Sequence, residues 1–424
     1  MNFINLEIKS LKQELLLDKL KIIILSLFPF FLIMGTAISE IGVIVLCIIF
    51  ILEYFFKNEN IFNNKLIYFF LCLYTCLIIN LIFSLNIDNS ILRNLFFPKY
   101  IIFVLGIINF LPKKKYRFAF IFKSWLIITF IFSLDLFVQL LFGTNIVGIE
   151  SPHRYHRTSG FMGEELKAGS LILAISFVSS CFMISNTKFK NIGLILLIFF
   201  LLSIFISGDR SNFIKSLIIL IYLIFFLNRE YVKRLIPWFG GLIIIIAIVL
   251  NNYLPFKERY MNRIFQDLYS NNFNVIKFID NTEYGKIYST SIKVFERFKV
   301  FGIGNKNFRM LCDSDFRKNF ALESEIEEKQ LRCNTHPHQI YLEILSEHGL
   351  FGFISLLFFL YVFLQSNLKK LFKEKNLLLN CLFITLLVNF IPIIPSGSFF
   401  TSFNATLFWT NFSLFYSYKK IINQ

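Results

Sequence analysis

The chain has 424 residues, of which 56% are hydrophobic and only 17% are charged, and phenylalanine alone accounts for 57 of them. This composition excludes an ordinary water-soluble domain and is typical of a membrane protein. The formal net charge of +16 does not indicate a nucleic-acid partner, because the basic residues fall in connections between apolar runs. We therefore expect contact with membrane lipids and no nucleic-acid partner.

Apolar runs of about 17–22 residues recur along the chain, and each is long enough to cross a bilayer as a helix. Residues 1–21 are polar and charged, so we expect no cleavable signal peptide. The pattern predicts an all-α integral membrane protein with about twelve transmembrane helices. The predicted spans are roughly 22–39, 41–56, 66–84, 95–111, 121–142, 166–184, 191–206, 212–227, 235–252, 349–365, 376–392 and 399–416.

Lysine and arginine concentrate in every second connection between these spans. The short connections on the other side hold only Arg93 and Arg210. Because basic residues are retained on the cytoplasmic side of a membrane, both termini are predicted to be cytoplasmic. The basic connections contain Lys57 and Lys65; Lys113, Lys114, Lys115 and Arg117; Lys188 and Lys190; Arg229, Lys233 and Arg234; Lys369, Lys370, Lys373 and Lys375; and Lys419 and Lys420.

Two longer polar segments, 143–165 and 253–348, are predicted to lie on the opposite side and still carry Arg, Lys and His. We interpret these residues as ligands for an anionic substrate; for any one of them, a solvated charge is the alternative. The chain then divides into 1–252 with spans one to nine, a large helical loop at 253–348 before the tenth span, and 349–424 with the last three spans.

Asp135 and Gln139 share one face of the fifth predicted span. A buried acid inside a membrane indicates a functional site by default. An internal hydrogen-bonded pair explains the same spacing, and the sequence leaves the two interpretations open.

The connection Ser207-Gly208-Asp209-Arg210-Ser211-Asn212 joins the seventh and eighth spans. Arg210 stands where the eighth span begins, at the depth of lipid headgroups. A guanidinium binds phosphate bidentately and stays charged when partly desolvated, so we predict a lipid-linked phosphate as its partner. Snorkelling of the side chain towards water is the alternative.

Within the long loop, residues 285–298 predict an amphipathic helix. Its apolar residues are Ile287, Tyr288, Ile292, Val294, Phe295 and Phe298, and Lys293, Glu296 and Arg297 face outward. The turn Gly302-Ile303-Gly304 ends the helix. It is not a dinucleotide fingerprint, because no strand precedes it and the third glycine is missing.

The cysteines separate into two groups. Cys312 and Cys333 lie in the long loop, where an oxidising compartment permits a disulfide bridge, and we expect them to be bridged. The others are in apolar spans and are expected to fill space in the core: Cys47, Cys72, Cys76, Cys181 and Cys381.

The end of the long loop reads Asn334-Thr335-His336-Pro337-His338-Gln339 and leads into an apolar run. Pro337 suits the first turn of a helix and Thr335 its cap. At such a helix start the dipole favours a neutral imidazole and attracts anions. We predict His338 as a general base with His336 as its orienting neighbour; a structural turn is the alternative.

Other chemistries find little support. Asp313-Ser314-Asp315 resembles the metal-binding acid pair of nucleotide-sugar transferases, but it has no strand context. The Cys and His residues do not have zinc-site spacing, and a G-x-S-x-G element is missing. We therefore expect a reaction that needs no metal and no cofactor.

The motifs together resemble the O-antigen ligase and polymerase superfamily. The resemblance covers roughly residues 140–365. It rests on His338-Gln339 followed after nine residues by Gly349 and after two more by Gly352, on Gly302-x-Gly304-x-x-x-Phe308, on Arg210 in its short loop, and on Arg157-Thr158-Ser159-Gly160-Phe161-Met162-Gly163-Glu164-Glu165.

This resemblance implies a glycosyltransferase on the periplasmic face of a bacterial inner membrane. Such an enzyme moves a glycan from undecaprenyl diphosphate to an acceptor hydroxyl. It implies His338 as the base and Arg210 as a diphosphate ligand, a role for which Arg157 is a further candidate. Family members often have a second arginine before the glycine turn; here Lys286 is the nearest candidate.

Ligases and polymerases of this superfamily share these motifs. A ligase uses lipid A-core as its acceptor, and we favour it; a polymerase uses a second lipid-linked repeat unit. A transporter of lipid-linked sugars is the rival from another class, but it favours paired polar residues at mid-membrane and a repeat between halves, which the sequence does not show.

The alternation of basic connections predicts the sidedness of the chain directly. A reporter that is active only in the periplasm should be active when fused after Asn305 and inactive when fused after Lys370. Enzyme assays on whole cells measure this difference. The reverse pattern would contradict the topology and every site assignment that depends on it.

Overall fold

The structure is a computed structural model and describes residues 10–57, 64, 66–151, 156–186, 188–227, 229–262, 269, 282–313, 315–316, 334–392 and 394–423. In these ranges the chain is all-helical apart from an isolated β-bridge between Thr144 and Glu150. Apolar runs in a membrane adopt helices because a helix satisfies its backbone hydrogen bonds internally.

The helices described are α1 Leu16–Ser26, α2 Phe28–Met34, α3 Thr36–Lys57, α4 Leu66–Ile82, α5 Ile87–Leu95, α6 Pro98–Phe110, α7 Tyr116–Phe142, α8 Ala168–Ser185, α9 Lys190–Ile206, α10 Arg210–Ile224, α11 Arg229–Asn252, α12 Leu254–Lys257, α13 Glu283–Arg297, α14 Ile340–Glu374, α15 Leu377–Leu387 and α16 Ser402–Ile422.

Six helical stretches of the described residues are long and apolar enough to cross a membrane. The predicted all-helical membrane character is thereby confirmed, whereas the count of about twelve spans stays a prediction. The six are Thr36–Phe56, Ile87–Lys113, Tyr116–Phe142, Ala168–Ser185, Val232–Asn252 and Ile340–Glu374; Leu66–Ile82, Lys190–Ile206 and Leu377–Phe390 are apolar but shorter.

The first predicted span is not one helix. Leu27 separates α1 from α2, and Gly35, at a φ of 130°, separates α2 from α3. Pro29 in the first turn of α2 explains the first break, since proline cannot continue a helix from the preceding turn. Pro98 stands in the same position, in the first turn of α6, after the short break that separates α6 from α5.

Helix α8 lies at the centre of the part that holds the site, where it packs against α7, α9 and α15. Its buried residues are mainly apolar, with several serines among them. Helices α10 and α16 also contact it. The N-terminal ends of α8, α10 and α16 and the C-terminal end of α15 thus surround a common space, and the segments that precede α14 and α16 close it.

Candidate active site

The glycine turn and α14 form one backbone unit. Ile303 N donates to Ser346 O over 3.0 Å and Gly304 N donates to Glu347 O over 2.9 Å, while Leu350 N donates to Lys299 O over 2.8 Å. Between these bonds, Gly349 has φ 63° and ψ −163° and breaks α14 into two helices. The turn therefore satisfies backbone groups that the break leaves without partners.

The glycines of the sequence motif are required by this close packing. A Cβ at Gly349 would lie 2.4 Å from Val300 O, and one at Gly302 would lie 2.4 Å from the backbone carbon of Glu347. At Gly352 it would lie 2.3 Å from the Cβ of His348. These motif residues position the site rather than take part in its chemistry.

Glu347 completes the same unit. Its carboxylate accepts hydrogen bonds from Lys306 N at 2.9 Å and from Phe308 N at 3.1 Å. The ring of Phe308 is buried in a small core with Ile287 and Val294 of α13. The predicted amphipathic helix is thus present as α13, although Ile292, expected to be buried, is 46% exposed.

The helix start predicted at the histidines is wrong by several residues. Helix α14 begins at Ile340, and its N-cap is Gln339, whose Oε1 accepts from Leu342 N at 2.8 Å. Thr335 and Pro337 lie before the helix, in the turn that carries the histidines. An N-cap side chain satisfies a free N–H of the first turn, and glutamine does so here in place of threonine.

His338 has an unusual backbone conformation. Its φ is 58°, in the left-handed region that non-glycine residues rarely adopt, which costs about 1–3 kcal/mol. Its carbonyl oxygen accepts a hydrogen bond from Ser396 N over 2.7 Å. The segment 394–399 therefore holds the backbone that carries the imidazole.

Both histidines are neutral near pH 7. Burial, reinforced by the neighbouring His338, lowers the pKa of His336 to about 3, and burial lowers the pKa of His338 below its usual value. The two imidazole centres lie 4.0 Å apart, and the rings of Tyr284 and His338 form a T-shaped pair with their centres 5.6 Å apart. Burial, rather than the predicted helix dipole, keeps these imidazoles unprotonated.

A cavity of about 300 Å³ opens beside the histidine pair. Its wall combines His336 and His338 with basic and polar side chains from α8, α10, α15 and α16. It includes Tyr284, Arg157, Lys167, Ser170, Asp209, Ser211, Asn212, Lys215, Thr385, Asn389, Ser396, Ser398, Thr401, Asn404 and Asn411. The sequence prediction missed Lys167 and Lys215, because both lie near the start of a predicted span, where a lysine does not by itself indicate a site.

Three arginines from distant parts of the sequence lie close together beside the cavity. Arg210 Nη1 donates to Arg259 O over 3.2 Å, and Arg259 Nε donates to Gly208 O over 2.5 Å. Burial and the charges of Arg157 and Arg210 lower the pKa of Arg259 to about 10. Arg157 also lines the cavity, and its buried Nε has no hydrogen-bond partner among the residues described. Such a group of cations favours an anionic ligand.

Of the predicted basic ligands, the structure brings Arg157 and Arg210 together and leaves Lys286 apart. Lys286 is half-buried on α13, two residues after Tyr284, and does not line the cavity. Arg259 was missed, although it lies in 253–348, the polar segment whose basic residues had suggested an anionic substrate. Arg259 lies in a short helical turn, Glu258–Asn262, and the sequence there contains no recognisable motif.

Asp135 and Gln139 support the Arg157 segment. Asp135 accepts from Ile146 N at 2.9 Å, and Gln139 Oε1 accepts from both Ser159 N and Gly160 N at 2.8 Å. The two side chains thus bind the loop on either side of Arg157. This arrangement favours the structural interpretation of the pair.

The cysteine prediction is tested only in part. Cys312 is disulfide-bonded, and the five cysteines of the apolar spans are free thiols. Cys333 lies outside the described residues, so its pairing with Cys312 stays a prediction. Of Asp313-Ser314-Asp315, Ser314 also lies outside them, and Asp313 Oδ1 accepts from Asp315 N at 2.8 Å as in a simple turn.

The described helices and this cavity define a helical membrane protein with a basic, histidine-containing site. The sequence model of the O-antigen ligase family matches residues 195–357. The match confirms the resemblance to the O-antigen ligase and polymerase superfamily and supports an enzyme of that type. It includes Arg210, Arg259 and both histidines but ends before the 394–399 segment. The search of curated proteins gave no match.

The break at Gly349 predicts a clear effect on stability. Gly349→Ala should destabilise the protein by about 1–3 kcal/mol or more, because the new methyl meets Val300 O and the positive φ disfavours a side chain. Thermal unfolding of the purified protein in detergent measures the change.

Gly240→Ala is the matched control, since Gly240 lies in α11 and a Cβ there meets nothing within 4 Å. It should leave stability unchanged or raise it slightly, by roughly 1 kcal/mol at most. Equal unfolding temperatures for the two variants would contradict a constrained break at Gly349.

Proposed function

We propose that this protein is an O-antigen ligase-type glycosyltransferase. It moves a glycan from undecaprenyl diphosphate to a hydroxyl of lipid A-core on the periplasmic face of a bacterial inner membrane. The observation that carries the proposal is the cavity whose wall holds two neutral histidines together with Arg157, beside which Arg210 and Arg259 lie. A proton acceptor beside cations is what transfer from a diphosphate donor requires.

In the proposed reaction, the neutral imidazole of His338 takes the proton of the acceptor hydroxyl. The acceptor oxygen forms a bond to the anomeric carbon while the bond from that carbon to the diphosphate oxygen breaks. Undecaprenyl diphosphate leaves with the electron pair, and the proton stays on His338 until it passes to solvent. A single displacement inverts the anomeric configuration.

The arginines are proposed to stabilise the negative charge that develops on the departing diphosphate. Arg210 and Arg157 keep the role expected for them. Arg259 joins them because its carbonyl oxygen accepts from Arg210 and its charge interacts with both. Lys286 remains a weaker proposal, since it lies away from the cavity. His336, in ring contact with His338, orients the base.

The topology belongs to the same proposal. About twelve spans, cytoplasmic termini and a periplasmic loop at 253–348 place the cavity on the outer face. The predicted boundary between the loop and the tenth span, 348/349, coincides with the break at Gly349. The first half of α14 then forms the end of the loop and the second half forms the span.

The base is tested by His338→Asn. Asparagine tolerates a positive φ, so the backbone should persist while the proton acceptor is lost. We expect glycan transfer to fall by about 10²- to 10⁴-fold, measured by the lipopolysaccharide pattern of a deletion strain that carries the variant. His336→Asn is the matched control and should have a milder effect.

The pH profile adds an independent check on the same base. Because burial lowers the pKa of His338 below its usual value, the rate of the wild-type protein should hold to a lower pH than an ordinary imidazole would allow. It should fall at lower pH, as the imidazole takes up a proton.

Near-normal transfer by the His338→Asn variant would contradict the proposed base and would assign the histidine a structural role.

The deletion strain also separates ligase from polymerase, which the family match does not distinguish. Loss of all long bands, with accumulation of the lipid-linked glycan, supports the ligase. A core that carries a single repeat unit supports the polymerase. Unchanged lipopolysaccharide would contradict both.

The arginine group is tested by Arg210→Lys. A point charge does not reproduce bidentate phosphate binding, so the transfer rate should fall about ten- to a hundredfold, and Arg210→Ala should weaken donor use further. Initial rates in proteoliposomes with a lipid-linked donor measure the effect. Arg234→Lys, at an exposed arginine that bonds Asn191, is the control and should match wild type.

A further inference from the structure

Lys215 is a buried cation of the cavity to which the proposed reaction gives no role. Its side chain is 3% exposed and lies on α10, one and a half turns beyond Arg210. Among the described residues, no hydrogen bond or ion pair within 4 Å reaches its ammonium group. Buried ionisable residues inside membrane proteins mark binding sites for a specific partner.

A comparison with another buried lysine shows how unusual a buried ammonium without a bonded partner is in this protein. Lys21 is 2% exposed, and its ammonium lies 2.7 Å from Asp18 and 2.7 Å from Glu53. It also lies 4.0 Å from the centre of the Phe110 ring. A buried charge is expected to have such partners, and Lys215 has none of them.

The nearest acid does not supply the missing partner. The charge of Asp209 acts on Lys215, but the carboxylate of Asp209 caps α10. It accepts from Asn212 N at 3.3 Å and from Asn212 Nδ2 at 2.6 Å. Lys215 therefore faces the cavity without a bonded counterion.

The surrounding wall is polar and partly unsatisfied. Thr385 Oγ1 and Asn411 Oδ1 are buried and have no hydrogen-bond partner within the part of the chain that the structure describes. Both residues line the cavity together with Asn389 and Asn404. Buried polar groups without partners are costly, so this wall is suited to a ligand that brings hydroxyl groups, as a sugar does.

Lys215 and Arg210 point to different ligand groups. Five residues along a helix separate them by about 7–8 Å along the axis and by about 140° around it. Arg210 contacts Arg259, whereas Lys215 lines the cavity. The arginine group suits a diphosphate with several charges, and a single ammonium suits a group with one negative charge.

We propose that Lys215 and the amide and hydroxyl groups around it form a subsite for an acidic sugar, in which Lys215 binds the sugar carboxylate. The sugar is the one attached to the diphosphate, because a cavity of about 300 Å³ is small and the diphosphate lies at the arginines. This inference rests on the proposed function and adds the class of glycan to it.

Two matched donors test the subsite. Both are polyprenyl diphosphate disaccharides; one carries a hexuronic acid next to the diphosphate, and the other carries the corresponding neutral hexose. Affinities of the purified full-length protein for each donor are measured in nanodiscs, and transfer rates are measured in parallel. Wild type should bind the acidic donor about ten- to a hundredfold more tightly.

Lys215→Met should bring the ratio of the two affinities close to one, and Lys215→Arg should retain most of it. Lys299→Met removes a positive charge from an exposed position outside the cavity and should keep the wild-type ratio. Thermal unfolding checks each variant, and Lys215→Met should remain folded because it removes a buried charge that has no bonded partner.

Equal losses of affinity for both donors in Lys215→Met would overturn the subsite, because Lys215 would then hold the diphosphate that the donors share. A wild-type ratio near one, or an unchanged ratio in Lys215→Met, would overturn it as well. Discrimination in binding without transfer of either donor would overturn the proposed function and leave the subsite standing.

Discussion

The backbone contact between the glycine turn and the broken helix α14 is the constraint on which the rest of the site depends. Gly349 opens the helix, and the Gly302–Gly304 segment enters the gap so closely that neither side tolerates a Cβ. Because this contact fixes the first half of α14, it also fixes the histidines that precede Ile340. Sequence glycines far from the cavity thereby control the geometry inside it.

A second constraint comes from the other side of the cavity. The 394–399 segment holds the backbone of His338 through Ser396 N and is itself bound to α14, where Glu343 accepts from Ser398 Oγ and from Phe399 N. His338 is thus kept in a left-handed conformation by neighbours that specify its position. Burial in the same region keeps its imidazole neutral, so one packing arrangement sets both the position and the protonation state of the candidate base.

The positive charges around the cavity divide into two kinds. Arg157, Arg210 and Arg259 belong to three separate segments of the chain and are partly satisfied by backbone carbonyls, as in a preformed anion site. Lys215 comes from within a helix and has no such support. The division follows from chemistry, because planar guanidiniums suit phosphate and a compact ammonium suits a smaller single charge.

The sequence by itself indicated a membrane protein, the helical architecture and the amphipathic α13, since these follow from hydropathy and periodicity. The motif that contains His338, Gly302 and Gly349 was selected by its resemblance to the O-antigen ligase and polymerase superfamily, and the close packing at Gly302 and Gly349 gives its glycines a structural reason. The sequence also selected Arg157 and Arg210 as candidates, because they lie in connections that the charge pattern predicts to be on the outer side, where basic residues are unexpected. It did not place the start of α14, the exposure of Ile292, or the breaks in the first span. Only the tertiary structure decided that Arg259 joins the arginines, that Lys286 stays apart, and that Lys215 faces a cavity without a partner. These facts depend on which faces of helices far apart in the sequence contact each other, and a hydropathy pattern does not specify such contacts.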